Sequence, residues 1–123
     1  RERALWEAAG IDPESASGAW YRKAGSGMGA TLNAAVGMGA YTLTDRGTWV
    51  GFRNKADLKI LVEGDPRLFN PYGIILVNPA RHPHVNAAGG SAFIAWLTGP
   101  EGQAAIGSYR LNGERLFHPL VHR

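Results

Sequence analysis

Short β-branched or aromatic runs alternate with helix-forming stretches along this chain, and that alternation restricts the fold more than any other feature. Tyr41-Thr42-Leu43-Thr44 places β-formers at alternate positions and reads as a short strand. Leu58-Lys59-Ile60-Leu61-Val62 reads as a buried strand, stopped by Gly64-Asp65-Pro66. Residues 72–77 read as another, bounded by Asn70-Pro71 and Asn78-Pro79. Trp20-Tyr21 suits a shorter one. Strands that alternate with helices make an α/β protein.

The helical stretches carry their own punctuation. Residues 1–10 are strong helix formers ending at Gly10. The start lacks a Ser, Thr, Asp or Asn cap, and Arg1 and Arg3 stand where a helix dipole favours acids. This predicts a helix whose beginning lies upstream, and it agrees with a sheet that looks incomplete. Residues 11–18, with Pro13 and Gly18, read as a loop. Residues 30–38 read as a small-residue helix with Leu32, Ala35 and Val36 on one face, ended by Gly37 or Gly39. Asp45 caps a short helix from about Arg46 to Phe52. Val85, Ala88, Gly89, Ala92, Phe93, Trp96 and Leu97 recur at helical spacing, which predicts an amphipathic helix near residues 84–98. Pro100 opens a last helix that ends before Asn112-Gly113.

Composition excludes several classes. The length of 123 residues suits one ordinary domain, and 45% hydrophobic with 19% charged residues is a globular balance. The net charge is +3, with Lys and Arg scattered among acids, so no nucleic-acid-binding block is present. Trp6, Trp20, Trp49 and Trp96 read as core or docking residues and not as a base-stacking platform. Cysteine is absent, which excludes disulfides, thiol catalysis and cysteine zinc sites. The longest apolar run falls far short of the roughly 20 residues that span a bilayer. No signal peptide is read in the chain, which suits a cytosolic protein or one whose leader has been removed.

Glycine is the unusual entry in the composition, with 17 residues, roughly twice average usage. Three of them crowd the turn Ala24-Gly25-Ser26-Gly27-Met28-Gly29 at a helix start. Such a turn leaves backbone N–H groups free beside the positive helix end, which makes an anion site, with Ser26 and Thr31 as added hydroxyl donors. The alternative is a tight turn that lets the helix pack closely. The spacing is neither GxxxxGK[ST] nor GxGxxG.

A second polar cluster, Thr42, Thr44, Asp45, Arg46 and Thr48, lies between a strand end and a helix start, where α/β proteins hold ligands. Its alternative is a capping Asp among solvated threonines. His82 and His84 form a pair without a carboxylate close in sequence, and His118 and His122 stand apart, so no metal centre is expected. Neither a G-x-S-x-G elbow nor HExxH occurs, and nothing marks a carboxylate pair, so no enzyme is expected.

Several stretches together resemble one family. They are Trp20-Tyr21 with Gly25-Ser26-Gly27-Met28-Gly29-Ala30-Thr31-Leu32; Tyr41-Thr42-Leu43-Thr44-Asp45-Arg46-Gly47-Thr48; Leu61-Val62-Glu63-Gly64-Asp65-Pro66 with Leu68-Phe69-Asn70-Pro71-Tyr72-Gly73; and Phe93-Ile94-Ala95-Trp96-Leu97 with Gly99-Pro100-Glu101-Gly102-Gln103. The chain resembles, over nearly its whole length, the periplasmic tungstate-binding proteins of ABC transporters. The first two stretches are fairly specific; the last is common to many solute-binding proteins.

The resemblance implies a type II periplasmic-binding-protein-like, two-lobed, three-layer α/β fold with a hinge, present here as its C-terminal portion. Residues 1–70 would form most of lobe two. Residues 71–123 would return through the hinge and supply the C-terminal part of lobe one, whose N-terminal part is not in this sequence. The function implied is binding tungstate or molybdate, without cofactor or catalysis, and delivering it to the membrane permease. The location implied is periplasmic, or extracellular and membrane-anchored.

Tetrahedral dianions suit a site of N–H and hydroxyl donors. The ligand-binding set implied here is Ser26, Gly27, Met28, Gly29, Thr42, Thr44 and Arg46, led by the Met28 and Gly29 amides and then Thr42. Arg46 has the alternative of pairing with a nearby acid. About half of the family's donors fall outside this sequence, so the missing N-terminal half or a second copy of the chain is an expected partner. The alternatives are a receptor for another oxyanion such as phosphate or sulfate, and the effector-binding domain of a transcription regulator.

Overall fold

The computed structural model describes residues 1–120. The chain divides into two compact units, Arg1–Asn70 and Pro71–Arg123.

The first unit opens with α1, Glu2–Ala8, whose cap position Arg1 makes no side-chain cap bond. Residues 11–18 are more ordered than a plain loop: Asp12 accepts the Glu14 amide and starts a 3-10 turn over Pro13–Ala16. Trp20-Tyr21 is not a strand; Tyr21 forms an isolated bridge with Ser17. Tyr21 packs edge to face on Trp6 and Trp20, which are tilted against each other, with centroids 5.6 to 6.3 Å apart.

The helix α2 spans Met28–Met38, two residues earlier than the pattern predicts. It buries Leu32 and Ala35 and stops at Gly39, which adopts a left-handed conformation with φ of 59°. The short α3, Arg46–Gly51, buries Val50. Asn54 Nδ2 donates to Asn33 Oδ1 at 3.1 Å, tying the chain after α3 to α2. A second 3-10 turn covers Pro66–Leu68, capped by Asp65. The Arg67 guanidinium grips Asp65 and holds its carboxyl well down, at about 2.

The second unit holds α4, Ala87–Thr98, and α5, Pro100–Ser108, which pack on each other across the single residue Gly99. The fold starts α4 later than the predicted residue 84, because Asn86 caps it by accepting the Gly89 amide at 2.8 Å. Its apolar stripe stays at least partly open: α4 buries no residue fully. Pro100 at the start of α5 and Glu101 in its first turn stand as the pattern predicts. A hairpin follows, β1 at Arg110–Leu111 and β2 at Glu114–Arg115, antiparallel with Leu111 opposite Glu114. Its turn, Asn112-Gly113, has φ of 52° and 82°, the doubly positive geometry of a tight hairpin. Tyr72 and Tyr109 close on Phe117 at 5.7 and 6.3 Å between ring centroids.

The predicted strands are the main correction. Residues 41–44, 58–62 and 72–77 join no sheet, and β1 with β2 is the only ladder among the described residues. The run at 58–62 is not buried: Leu61 is 60% and Val62 71% exposed. These residues have strand composition, but a strand needs a neighbour to take its N–H and C=O groups. No described segment supplies one. The buried apolar core among the described residues is Leu32, Ala35 and Val50, of which Leu32 is fully buried. No described helix is long and apolar enough to cross a membrane.

Candidate functional site

The glycine-rich turn delivers the start of α2 with its donors unused. Gly27 is the cap residue, extended at φ −67° and ψ 168°, and it has no side chain to cap with. The first amides of a helix have no partner inside it. The first intrahelical amide bond here is Thr31 N to Gly27 O at 3.0 Å. Met28, Gly29 and Ala30 therefore present their N–H groups at the positive end of α2, and no acid stands in its first turn. Thr31 turns its hydroxyl back onto Gly27 O at 3.1 Å, and Ser26 Oγ lies 3.5 Å from it.

The side-chain space around this turn decides between two reasons for its glycines. A Cβ built on Gly27 or on Gly29 meets nothing within 4 Å. Close packing within the described chain therefore does not require glycine at either position. What the missing side chains leave is an open approach to the amides.

The second cluster sits at α3. Asp45 Oδ1 accepts the Thr48 amide at 2.8 Å and Oδ2 the Thr48 hydroxyl at 2.6 Å. Partial burial pushes the Asp45 carboxyl up, yet the Thr48 and backbone hydrogen bonds outweigh it and leave it below the ordinary value. Asp45 is thus committed to capping. Thr44 is half-buried and Thr42 exposed, and each hydroxyl donates at 3.3 Å to the carbonyl of the next residue. Bonds that long leave both hydroxyls available to a better acceptor. Arg46 forms an ion pair with Glu63, the acid-pairing alternative left open by the sequence. The sequence carries no sign of Glu63 as that partner, because a contact 17 positions away leaves no local pattern.

The structure brings Ser26 and Met28 through Thr31 together at one helix start, and Thr42 through Thr48 at another. No hydrogen bond joins the two clusters among the described residues. His82 and His84 lie edge to face with ring centroids 6.1 Å apart. No group of three or more His, Asp or Glu side chains suited to a metal ion occurs among the described residues. His122 lies outside them.

Comparison with known proteins places the chain in a family. Residues 1–101 match the model of the PBP superfamily domain. A putative ABC transporter anion-binding protein of Haloferax volcanii is 48% identical, over 97% of this chain and 35% of its own length. The tungstate-binding protein TupA of Peptoclostridium acidaminophilum is 44% identical, over 97% of this chain and 41% of its own. Among solved structures, the tungstate-binding protein TupA of Desulfovibrio alaskensis matches with a TM-score of 0.69 and 42% identity, over 98% of this chain and 50% of its own. The chain thus spans half or less of each of these relatives. The resemblance read from the Gly25–Gly29 and Tyr41–Thr48 stretches stands, and the chain belongs to the PBP superfamily.

Proposed function

We propose that this chain is part of the substrate-binding component of an ABC transporter, taking up tungstate or molybdate and delivering it to the membrane permease. The observation that carries this reading is the 44% identity, along 97% of the chain, to a relative named for tungstate binding. The open start of α2 supports it physically. Tungstate and molybdate are tetrahedral dianions, and aligned amide donors at a helix start satisfy their oxygens without a full countercharge.

In this reading the amides of Met28 and Gly29 lead, with Gly27 shaping the approach. Ser26, Thr42 and Thr44 add hydroxyl donors, and Arg46 adds charge. The unit Arg1–Asn70 corresponds to most of lobe two, and the unit from Pro71 to the hinge return and the tail of lobe one. The remaining donors come from residues beyond these 123 or from a second copy. The role is binding without turnover, and the location is periplasmic, or extracellular and membrane-anchored.

The test is calorimetric titration of the complete protein that carries this chain with tungstate, molybdate, sulfate and phosphate. Saturable heat with tungstate or molybdate, and little with the other two, is the expected result. Heat with sulfate or phosphate alone would make it a receptor for another oxyanion. An organic effector bound in place of any oxyanion would point to a regulator's sensing domain.

A further inference from the structure

The Arg46–Glu63 ion pair joins the first residue of α3 to the chain just beyond the extended run at 58–62. It is a tertiary contact, because 17 positions separate its partners. Both side chains remain open to water, Arg46 at 39% and Glu63 at 59%. Pairs this exposed shift an equilibrium by about fivefold at most, because water screens them. Such a pair is too weak to hold a fixed frame. It is strong enough to keep a guanidinium occupied until a better acceptor arrives.

A tetrahedral dianion is that better acceptor. The guanidinium carries parallel N–H donors that match two oxygens at once, and a dianion offers twice the charge of a carboxylate. Asp45, the other acid beside Arg46, turns its two oxygens to Thr48, and the guanidinium pairs with Glu63 instead. Thr44, with its long and replaceable hydrogen bond, stands two residues away.

We propose that Glu63 is the resting counterion of Arg46 and that an incoming oxyanion displaces it. Glu63 then lowers apparent affinity by competing for the guanidinium. This inference rests on the oxyanion-receptor reading above and assigns a regulatory residue to that site.

The experiment titrates sodium tungstate into the complete protein at low and high ionic strength, for the wild type, Glu63→Gln, Arg46→Gln and the double variant. Glu63→Gln is nearly isosteric, and melting curves verify that each variant is folded. The expected result is binding about two- to fivefold tighter in Glu63→Gln at low ionic strength, shrinking at high ionic strength. Arg46→Gln binds more weakly, and adding Glu63→Gln to it changes nothing. Unchanged or weaker binding in Glu63→Gln would overturn the proposal, as would a gain that persists without Arg46. Absence of binding in the wild type would overturn the receptor reading and this proposal with it, so the two failures are told apart.

Discussion

Met28→Pro is expected to weaken tungstate binding roughly ten- to a hundredfold while leaving the fold intact. Met28 is the first residue of α2, where proline is well tolerated because the N–H it lacks has no helical partner. The preceding residue, Gly27, is extended with ψ of 168°, the conformation that a following proline requires. The substitution thus removes one anion donor and little else from the backbone. A hydrogen bond to a charged group is worth about 1.5–3 kcal/mol, which sets the expected loss. Met28→Ala is the control: it loses the side chain but keeps the amide, and its affinity stays near wild type. Calorimetry on the complete protein compares the two. Equal affinity of the proline and alanine variants would remove the Met28 amide from the site.

The second large effect is on stability. Gly102→Ala is expected to destabilise the protein by about 1–3 kcal/mol, the usual range for overpacking a close contact. A Cβ at Gly102 would lie 2.3 Å from Trp96 O, 2.6 Å from Leu97 Cα and 2.8 Å from Leu97 O. All three are backbone atoms at the end of α4, so relief requires moving α5 away from α4. Gly99 leaves no slack for that movement, because it serves at once as the C-cap of α4 and the N-cap of α5. Gln103 Nε2 donates to Leu97 O at 2.8 Å, and the same shift breaks that bond. Thermal melting is expected to show a drop of several degrees. Gly29→Ala, whose added Cβ meets nothing within 4 Å, is expected to melt at or above the wild-type temperature. A wild-type melting temperature for Gly102→Ala would mean that the α4–α5 joint is looser than described.

The two substitutions also mark what was legible in the sequence. Several helix ends were, because caps and stops are local chemistry. Gly39 ends α2, Asp45 opens α3 and Pro100 opens α5, each where its residue type predicts. The extended runs at 41–44, 58–62 and 72–77 announced themselves by composition, but their pairing did not follow. Pairing is a property of two segments, and β-propensity in one of them says nothing about the other. The hairpin of β1 and β2 has its signal in Asn112-Gly113, a turn dipeptide that also marks the limit of the last helix. At the candidate site, the α2 amides were legible because a glycine-rich turn before a helix is itself a local pattern. The state of Arg46 was not, since its partner lies 17 positions away. The glycines at 27 and 29 needed the structure as well: only the space around them separates close packing from open access.

The most direct measurement is residue-by-residue amide NMR of the complete protein as sodium tungstate is added. Amides that donate to a dianion move strongly downfield. The largest shifts are expected at Met28 and Gly29, with smaller ones at Thr42 and Thr44. Silent Met28 and Gly29 signals in a protein that visibly binds tungstate would contradict the assignment of the anion to the start of α2.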